Sequence, residues 1–512
     1  MTKTSKNDRV TDFAKAIAEK YATSGEAIDL GQAMLEAELV PGAEARIPIK
    51  MTNRHGLIAG ATGTGKTRTL QLIAEQLSTA GVPVFAADVK GDLSGLSTPG
   101  DAGGPAGKRA SELGIPYTPM GYPVEYLALG GIGPGVPVRA TVSDFGPQLL
   151  AKVLDSNETQ EQSLGLVFHY ADQKGLPLLD LSDLRALLTF LASDDGTNEL
   201  KGIGGLAPQT VGVLLRALVV LEDGGGNELF GEPQFDVNDL LRTAPDGRGV
   251  ISCLELPGVQ DKPKLFSTAL MWLLAELFET LPEVGDLEKP KLCFFFDEAH
   301  LLFDGASKAF VESVTQTVRL IRSKGVGVFF ITQTPKDVDA DVLAQLGNRV
   351  QHALRAFTPD DDAALKAAVR TFPKSEFYDL EQLLQQLGTG EAAVTILAES
   401  GVPTPVAHTK LRPPQASMGP AADVDSVAKA SPLYAKYGAR TDAQSAREML
   451  AARLEQAAAP AAPAAATQDH AKAAKAARGS ADMLGDFLKS RTGKQVEREV
   501  IRGVFGMLKK SL

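Results

Sequence analysis

A glycine-rich run near the start of the chain has the residue types and spacing of a phosphate-binding loop. Residues 60–67 read Gly-Ala-Thr-Gly-Thr-Gly-Lys-Thr and match G-x-x-x-x-G-K-[ST] at every fixed position. Glycines let backbone N–H groups turn towards a polyphosphate, and the following helix presents its positive end to the same charges. We expect Lys66 to reach the β- and γ-phosphates and the Thr67 hydroxyl to bind Mg²⁺. The predicted nucleotide-binding residues are Gly60, Ala61, Thr62, Gly63, Thr64, Gly65, Lys66, Thr67 and Arg68.

A second segment that could take part in catalysis is an apolar run that ends in two carboxylates. Residues 291–296 (Lys-Leu-Cys-Phe-Phe-Phe) are followed directly by Asp297 and Glu298. Asp297 is expected to hold Mg²⁺, and Glu298 to orient and deprotonate an attacking water. A carboxylate base beside the Mg²⁺ ligand favours hydrolysis over phosphoryl transfer to a small acceptor. The pattern therefore predicts hydrolysis of ATP with Mg²⁺, and we assign no catalytic role to the nearby His300.

Three polar side chains further along are candidates for contacts with the γ-phosphate. Gln333 ends the next predicted strand, where it would either touch the phosphate and the water or simply cap the strand. Arg319 and Arg322 are three residues apart and share one helix face. That face either reaches into a neighbouring subunit's site as an arginine finger or is an ordinary solvated basic face. Asp88, at the end of the second strand, either shapes the site or forms a turn.

The elements that must position these residues follow the pattern of an α/β fold. An apolar strand at 55–59, the loop, a helix at 67–77 and a strand at 82–87 form one βαβ unit. Further strands are predicted at 248–255, 291–296, 326–332 and 349–356, and a hairpin at 392–410. Continuous apolar runs, rather than alternation, indicate strands that are buried on both faces. We predict a P-loop NTPase fold of the RecA/ASCE type, with a mainly parallel sheet and helices on both faces.

Six parts are predicted along the chain. They are an N-terminal segment (1–50), the first part of the ATPase core (51–144), a mostly helical insertion (145–245), the second part of the core (246–415), an Ala/Pro-rich linker (416–480) and a basic amphipathic C-terminal helix (481–512). Residues 489–512 contain seven basic and two acidic side chains, with valine or leucine recurring every four residues. This helix is expected either to dock a protein partner or an anionic membrane surface, or to pack on the protein's own assembly.

Composition narrows the class of protein. The chain has 512 residues, 44% of them hydrophobic and 22% charged, as in ordinary globular proteins. The two cysteines, Cys253 and Cys293, lie in apolar runs, which indicates reduced core residues rather than a metal or disulfide framework. The start has no apolar signal region, and no stretch has the length of an uncharged membrane span, so we predict a cytoplasmic protein. A net charge of −11 means that any nucleic-acid contact must be local.

The motifs, taken in order, resemble those of one branch of P-loop ATPases. They are Arg54-His-Gly-Leu-Ile-Ala followed by the glycine loop, Ala87-Asp-Val-Lys-Gly-Asp-Leu, Phe296-Asp-Glu-Ala-His-Leu-Leu, Arg319-Leu-Ile-Arg-Ser-Lys-Gly-Val-Gly-Val and Ile331-Thr-Gln-Thr-Pro. This set resembles the HerA/FtsK branch and, more narrowly, the bacterial YjgR-like group of HerA-like helicases or ATPases. The resemblance covers roughly residues 30–415 and also takes in the C-terminal segment Arg502-Gly-Val-Phe-Gly-Met-Leu.

The resemblance implies a homo-oligomer, a hexameric ring that hydrolyses ATP and moves along double-stranded DNA. In that family Lys66, Thr67, Asp297, Glu298 and Gln333 would match the nucleotide motifs. Arg322 would match the residue that acts on a neighbour's γ-phosphate, with Arg319 as its companion. HerA itself carries an N-terminal β-barrel that contacts a nuclease, whereas the 59 residues before Gly60 show no barrel-like series of strands. Coupling to a nuclease is therefore not predicted.

Two other functions fit the same motifs. The first is a ring ATPase that acts on a protein substrate or a secretion partner, because the segment from Asp88 to Asp92 is similar to loops in such ATPases. The second is a nucleotide-dependent switch without DNA, against which Glu298 argues because it favours turnover.

Overall fold

The computed structural model describes residues 6–303 and 308–458, and one twelve-stranded sheet runs through them. The strands are β1 (Ala27–Leu35), β2 (Glu38–Pro48), β3 (Gly56–Ala59), β4 (Val84–Asp88), β5 (Val124–Leu129), β6 (Val136–Val138), β7 (Ile251–Glu255), β8 (Leu292–Phe296), β9 (Val326–Thr332), β10 (Asn348–Gln351), β11 (Glu391–Thr395) and β12 (Ala407–Leu411). The spatial order is β2-β1-β12-β11-β10-β3-β9-β8-β4-β7-β5-β6. All neighbours from β10 to β6 are parallel, and the four strands from β2 to β11 add on antiparallel.

Helices cover this sheet and connect its strands. They are α1 (Lys6–Lys20), α2 (Lys66–Thr79), α3 (Pro105–Glu112), α4 (Val142–Phe145), α5 (Pro147–Val153), α6 (Glu158–Lys174), α7 (Leu181–Leu191), α8 (Asp194–Glu199), α9 (Pro208–Leu221), α10 (Asn227–Leu229), α11 (Pro263–Thr280), α12 (His300–Phe303), α13 (Lys308–Ile321), α14 (Ala340–Leu343), α15 (Pro359–Val369), α16 (Leu380–Gln386), α17 (Val424–Lys429), α18 (Pro432–Tyr437) and α19 (Ala446–Ala458). Helices α4–α10 form the insertion between β6 and β7.

The apolar run before the paired carboxylates shows why the sheet is covered on both faces. Successive side chains of a strand point to opposite faces. Phe294 and Phe296 enter one hydrophobic core with the insertion, and Phe295 enters the other core with α1 and α2. All three are fully buried, which contributes roughly 1.5–3 kcal/mol for each side chain. The predicted mainly parallel sheet with helices on both faces is confirmed.

Strand register brings the predicted site residues to one edge. Ala59 lies opposite Thr332 in the β3–β9 pair, and Phe296 lies opposite Phe330 in the β8–β9 pair. The segments that follow β3, β9 and β8 therefore leave the sheet side by side at its carboxyl edge. This is where parallel α/β sheets bind ligands.

The segment after β12 includes the first part of the predicted Ala/Pro-rich linker (416–480). Residues 416–458 contain α17, α18 and α19 and return across the sheet to the insertion. Tyr437 is fully buried and packs on Phe235, and Ser445 contacts the buried Asp183. The six-part division itself stays a prediction, and the predicted C-terminal helix at 481–512 lies outside the described residues. Within the described part of the chain, no helix is long and apolar enough to cross a membrane.

Candidate active site

The glycine loop follows β3 and leads into α2. Gly60 has φ 154°, Gly63 has φ 76° and Gly65 has φ 115°, all in the region that other residues rarely adopt. A Cβ atom at Gly60 would lie 2.5 Å from the Cβ of His352, so a side chain does not fit there. The loop is thereby open towards solvent at Gly63 and closely packed at its base. This shape, with the N-terminus of α2 behind it, fits a bound polyphosphate.

His352 supports the loop, and none of the motifs in the sequence includes it. Its Nε2 lies 2.8 Å from Oγ1 of Thr69, and its backbone N–H donates to Ala59 over 2.7 Å. The next residue, Ala353, accepts a hydrogen bond from the N–H of Ala61 over 2.8 Å. Burial, together with the charge of Lys66, lowers the pKa of His352 to about 4, so the imidazole is neutral at physiological pH. The available signal for His352 in the sequence was its position as a polar residue within the predicted strand 349–356. In the structure that strand, β10, ends earlier, at Gln351.

Lys66 is the cation of the cradle. Its ammonium donates to the carbonyl oxygen of Gly60 over 2.7 Å and lies 3.3 Å from that of Ala61. The side chain is buried, and burial lowers its pKa below the usual value. An ammonium held in a loop of glycines next to a helix N-terminus fits the β- and γ-phosphates. Thr67 and Arg68 stand half-buried on the first turn of α2, where Arg68 donates to Gln71 over 2.7 Å.

Asp297 lies at the carboxyl end of β8 and is almost fully buried. Its Oδ1 accepts the N–H of Glu298 over 2.9 Å. Its Oδ2 is buried without a hydrogen-bond partner among the described residues. Burial, then the charge of Glu298, raises the pKa of Asp297 to about 7. A buried and unpaired carboxylate oxygen is costly unless a cation or a donor meets it, as Mg²⁺ would.

Two further carboxylates meet Asp297 at this edge. Oxygens of Asp88, Asp92 and Asp297 all lie within 4.8 Å of one another. Burial raises the pKa of Asp88 to about 6 and that of the neighbouring Glu255 to about 8. Oxygen ligands of this kind are those that Mg²⁺ prefers, so the donor set fits the predicted metal. Asp88 thus lies in the site, as one of its two sequence-based interpretations requires.

Glu298 sits beside this cluster in an unusual backbone conformation. Its φ of 48° lies in the left-handed region, which costs a non-glycine residue about 1–3 kcal/mol and is found mainly at functional sites. One carboxylate oxygen, Oε1, contacts the ammonium of Lys90. The other, Oε2, lies 3.3 Å from Nδ1 of His300. Neither partner was assigned a role from the sequence.

The remaining candidates divide between the two edges of the sheet. Gln333 is exposed directly after β9, at the carboxyl edge beside the loop, and its contact with the phosphate stays a prediction. Arg322 lies four residues before the start of β9, at the opposite, amino edge, and Arg319 is exposed one helical turn earlier on α13. Arg322 is 3.5 Å from Asp286, and Arg54 is 3.7 Å from the same carboxylate oxygen. The two arginines are therefore absent from the nucleotide site of their own chain.

The loop, the paired carboxylates and the strand order define a P-loop ATPase. The profile of the family "Helicase HerA-like C-terminal" matches residues 34–511. The chain therefore belongs to the HerA-like helicase family, which confirms the resemblance and the assignment as an ATP-hydrolysing enzyme.

Solved structures agree with this fold. The bacterial conjugative coupling protein TrwB, in its unbound form, has a TM-score of 0.51 at 15% identity, over 78% of this chain and 93% of that chain. TrwB with the ATP analogue ADPNP has a TM-score of 0.50 at 17% identity, over 79% and 95% of the two chains. TrwB with ADP and Mg²⁺ has a TM-score of 0.50 at 17% identity, over 79% and 94%. No curated protein sequence gave a significant match.

Proposed function

We propose that this protein is a homo-hexameric, ATP-driven motor that moves along double-stranded DNA in the cytoplasm. The observation that carries the proposal is the separation of the site into two halves on opposite edges of one sheet. The glycine loop and the carboxylates lie at the carboxyl edge. Arg54 and Arg322 lie at the amino edge. Each half is complete only when the edge of another copy faces it.

The carboxyl edge supplies binding and hydrolysis. When bound, Mg²⁺ would neutralise charge on the phosphates of ATP. Lys66 would hold the β- and γ-phosphates, and Asp297 with Thr67 would fix the metal. Glu298 would take the proton of the attacking water at Oε2. Gln333 would orient the same water from the end of β9.

The amino edge cannot serve the same copy. Strand β9 spans seven residues, so roughly 20 Å separates Arg322 from the carboxyl edge of the sheet. Burial, and then the charge of Arg322, lowers the pKa of Arg54, as expected for two cations in close proximity. A γ-phosphate from a neighbouring subunit would relieve this repulsion. A head-to-tail ring, with a closing rotation, brings these edges together.

The distribution of charge accommodates DNA. Residues 145–245 contain 15 acidic and 6 basic residues, a net charge of −9 within a total of −11. The ATPase core (51–144 and 246–415) has a net charge of −6, spread over more than twice as many residues. A polyanion is repelled mainly by the insertion, so we place the DNA contact on the core. The plasmid coupling protein TrwB, which has this fold, binds a non-hydrolysable ATP analogue, and this supports ATP as the nucleotide.

The test is the ATPase rate with and without double-stranded DNA, over a range of salt concentrations, together with the mass of the assembly in ATP. We expect stimulation by DNA that falls as salt rises, because phosphate contacts release counterions. A hexamer whose rate ignores DNA at every salt concentration would overturn the DNA proposal. Stimulation by a protein would instead favour the alternative of a motor acting on a polypeptide, for which residues 481–512 offer a basic docking segment.

A further inference from the structure

We propose that Lys90 is a positioning residue for Glu298: it holds one carboxylate oxygen so that the other faces the attacking water. The inference rests on the proposed hydrolytic role of Glu298. Neither the glycine loop nor the carboxylate motif includes Lys90, which lies in the loop after β4. Its role follows from what the fold places beside Glu298.

The two oxygens of Glu298 have different surroundings. Oε1 contacts the Lys90 ammonium. Oε2 is buried and accepts no hydrogen bond from any described residue, although His300 Nδ1 lies 3.3 Å away. A base needs one lone pair free for the proton of the water and a third group that fixes its direction. The asymmetric contacts of Glu298 supply both.

The loop that carries Lys90 is itself fixed. The buried carboxylate of Asp88 accepts the backbone N–H groups of Lys90 over 3.2 Å, Gly91 over 2.8 Å and Leu93 over 2.7 Å. Gly91 has φ 77°, which a side chain would strain. Gln260 holds the same loop from the other side by donating to Val89 over 2.5 Å. The long Lys90 side chain therefore starts from a rigid backbone.

Burial distinguishes this contact from an ordinary surface ion pair. The Lys90 side chain is 46% exposed, but that of Glu298 is only 8% exposed. The half-exposed lysine can be replaced without opening the core, whereas its buried partner depends on it for direction. The left-handed backbone of Glu298 adds a second sign that its side chain is held in one required orientation.

The experiment compares Lys90→Met and Lys90→Arg with the control Lys289→Met. Lys289 is 43% exposed and pairs with Glu26 over 2.8 Å, before the start of β8 and away from the site. We expect Lys90→Met to lower kcat by about 10- to 100-fold, part of the roughly 10²–10⁴-fold that a placed base contributes. KM and the affinity for a fluorescent ATP analogue should change less than twofold. Lys90→Arg should recover most of kcat, and Lys289→Met should match the wild type.

A double-mutant cycle with Glu298→Gln tests whether Lys90 acts through Glu298. Once the base is removed, Lys90→Met should cause no further loss. A further loss in that background would overturn the proposal, as would an unchanged kcat, a raised kcat or an increase in KM equal to the loss in kcat. The rates are measured without DNA. An ATPase rate that DNA does not change would therefore contradict the translocation proposal, while the test of Lys90 would remain valid.

Discussion

The two edges of the sheet carry local charge of opposite sign. At the carboxyl edge, buried carboxylates crowd together, and burial raises the pKa of Asp297 to about 7. At the amino edge, Arg54 and Arg322 share one oxygen of Asp286, whose side chain is 78% exposed. Acidic groups outnumber Lys66 and Lys90 at the first edge, and the two guanidinium groups outnumber Asp286 at the second. This difference is what the proposed ring requires, in which the arginines of one copy face the nucleotide of the next.

The largest effect should come from the carboxyl edge. Glu298→Gln is expected to reduce the rate of hydrolysis at least about 10³-fold, because the amide cannot accept the proton of the water. ATP binding should persist, since Lys66 and Asp297 are unchanged. The measurement is single-turnover hydrolysis beside equilibrium binding of ATP. The exposed Glu158→Gln serves as control, and undiminished turnover in Glu298→Gln would remove this residue from the mechanism.

The amino edge is tested by Arg322→Ala, which should lower kcat about 10²- to 10³-fold and leave ATP binding intact. Mixing this variant with Lys66→Ala separates a shared site from a local one. If Arg322 acts on the neighbour, a 1:1 mixture of two inactive proteins regains activity at about one site in four, because those sites combine both intact halves. No recovery would mean that Arg322 acts elsewhere. The exposed Arg216→Ala, on the insertion, is the matched control.

A smaller effect is expected at the base of the glycine loop. His352→Ala should weaken ATP binding about tenfold and lower the free energy of unfolding by roughly 2–4 kcal/mol, because it leaves a cavity against Gly60 and frees the Thr69 hydroxyl. Isothermal titration and urea unfolding measure the two changes. His55, which is also buried but precedes β3 at the opposite edge of the sheet, gives the control His55→Ala. Equal effects of the two substitutions on ATP binding would contradict a specific role of His352.

The smallest effect is expected away from both edges, where α2 contacts Gln415 and Ala416 in the segment after β12. Glu75 on α2 accepts the N–H groups of Gln415 and Ala416, and burial raises its pKa from 4.5 to about 7. A carboxyl group with a raised folded-state pKa takes up a proton on folding, so its contribution to stability is present below pH 4.5 and falls as pH rises through 7. The total is at most about 3 kcal/mol. Glu75→Gln should flatten the pH dependence of urea unfolding between pH 5 and pH 8, and an unchanged slope would contradict this account.

Local patterns predicted the carboxyl edge well. The strand, loop and helix around Lys66, and the apolar strand before Asp297, depend on neighbouring residues in the sequence, and they lie where the sequence predicted them. No strand bounds were predicted within residues 1–50, where β1 and β2 pair with two register shifts that break the alternation of apolar residues. Strands β5 and β6 were missed between flanking Gly- and Pro-rich segments.

Contacts between distant residues could not be predicted in the same way. His352 meets the glycine loop, and Arg54 meets Asp286, only because strands far apart in sequence become neighbours. The return segment 416–458 was taken as a linker from its composition. Its burial against Phe235 and Asp183 depends on the completed insertion, so no local signal marks it.

The strand order also determines when β3 can acquire its neighbouring strands as the chain is synthesised. Gly56 in β3 pairs with Phe329 in β9 on one side and with Asn348 in β10 on the other. A ribosome adding roughly 5–20 residues per second therefore exposes the apolar strand β3 for about 15–50 s before either flanking strand exists. During that time the four residues of β3, all buried in the finished sheet, have no neighbouring strand to cover them.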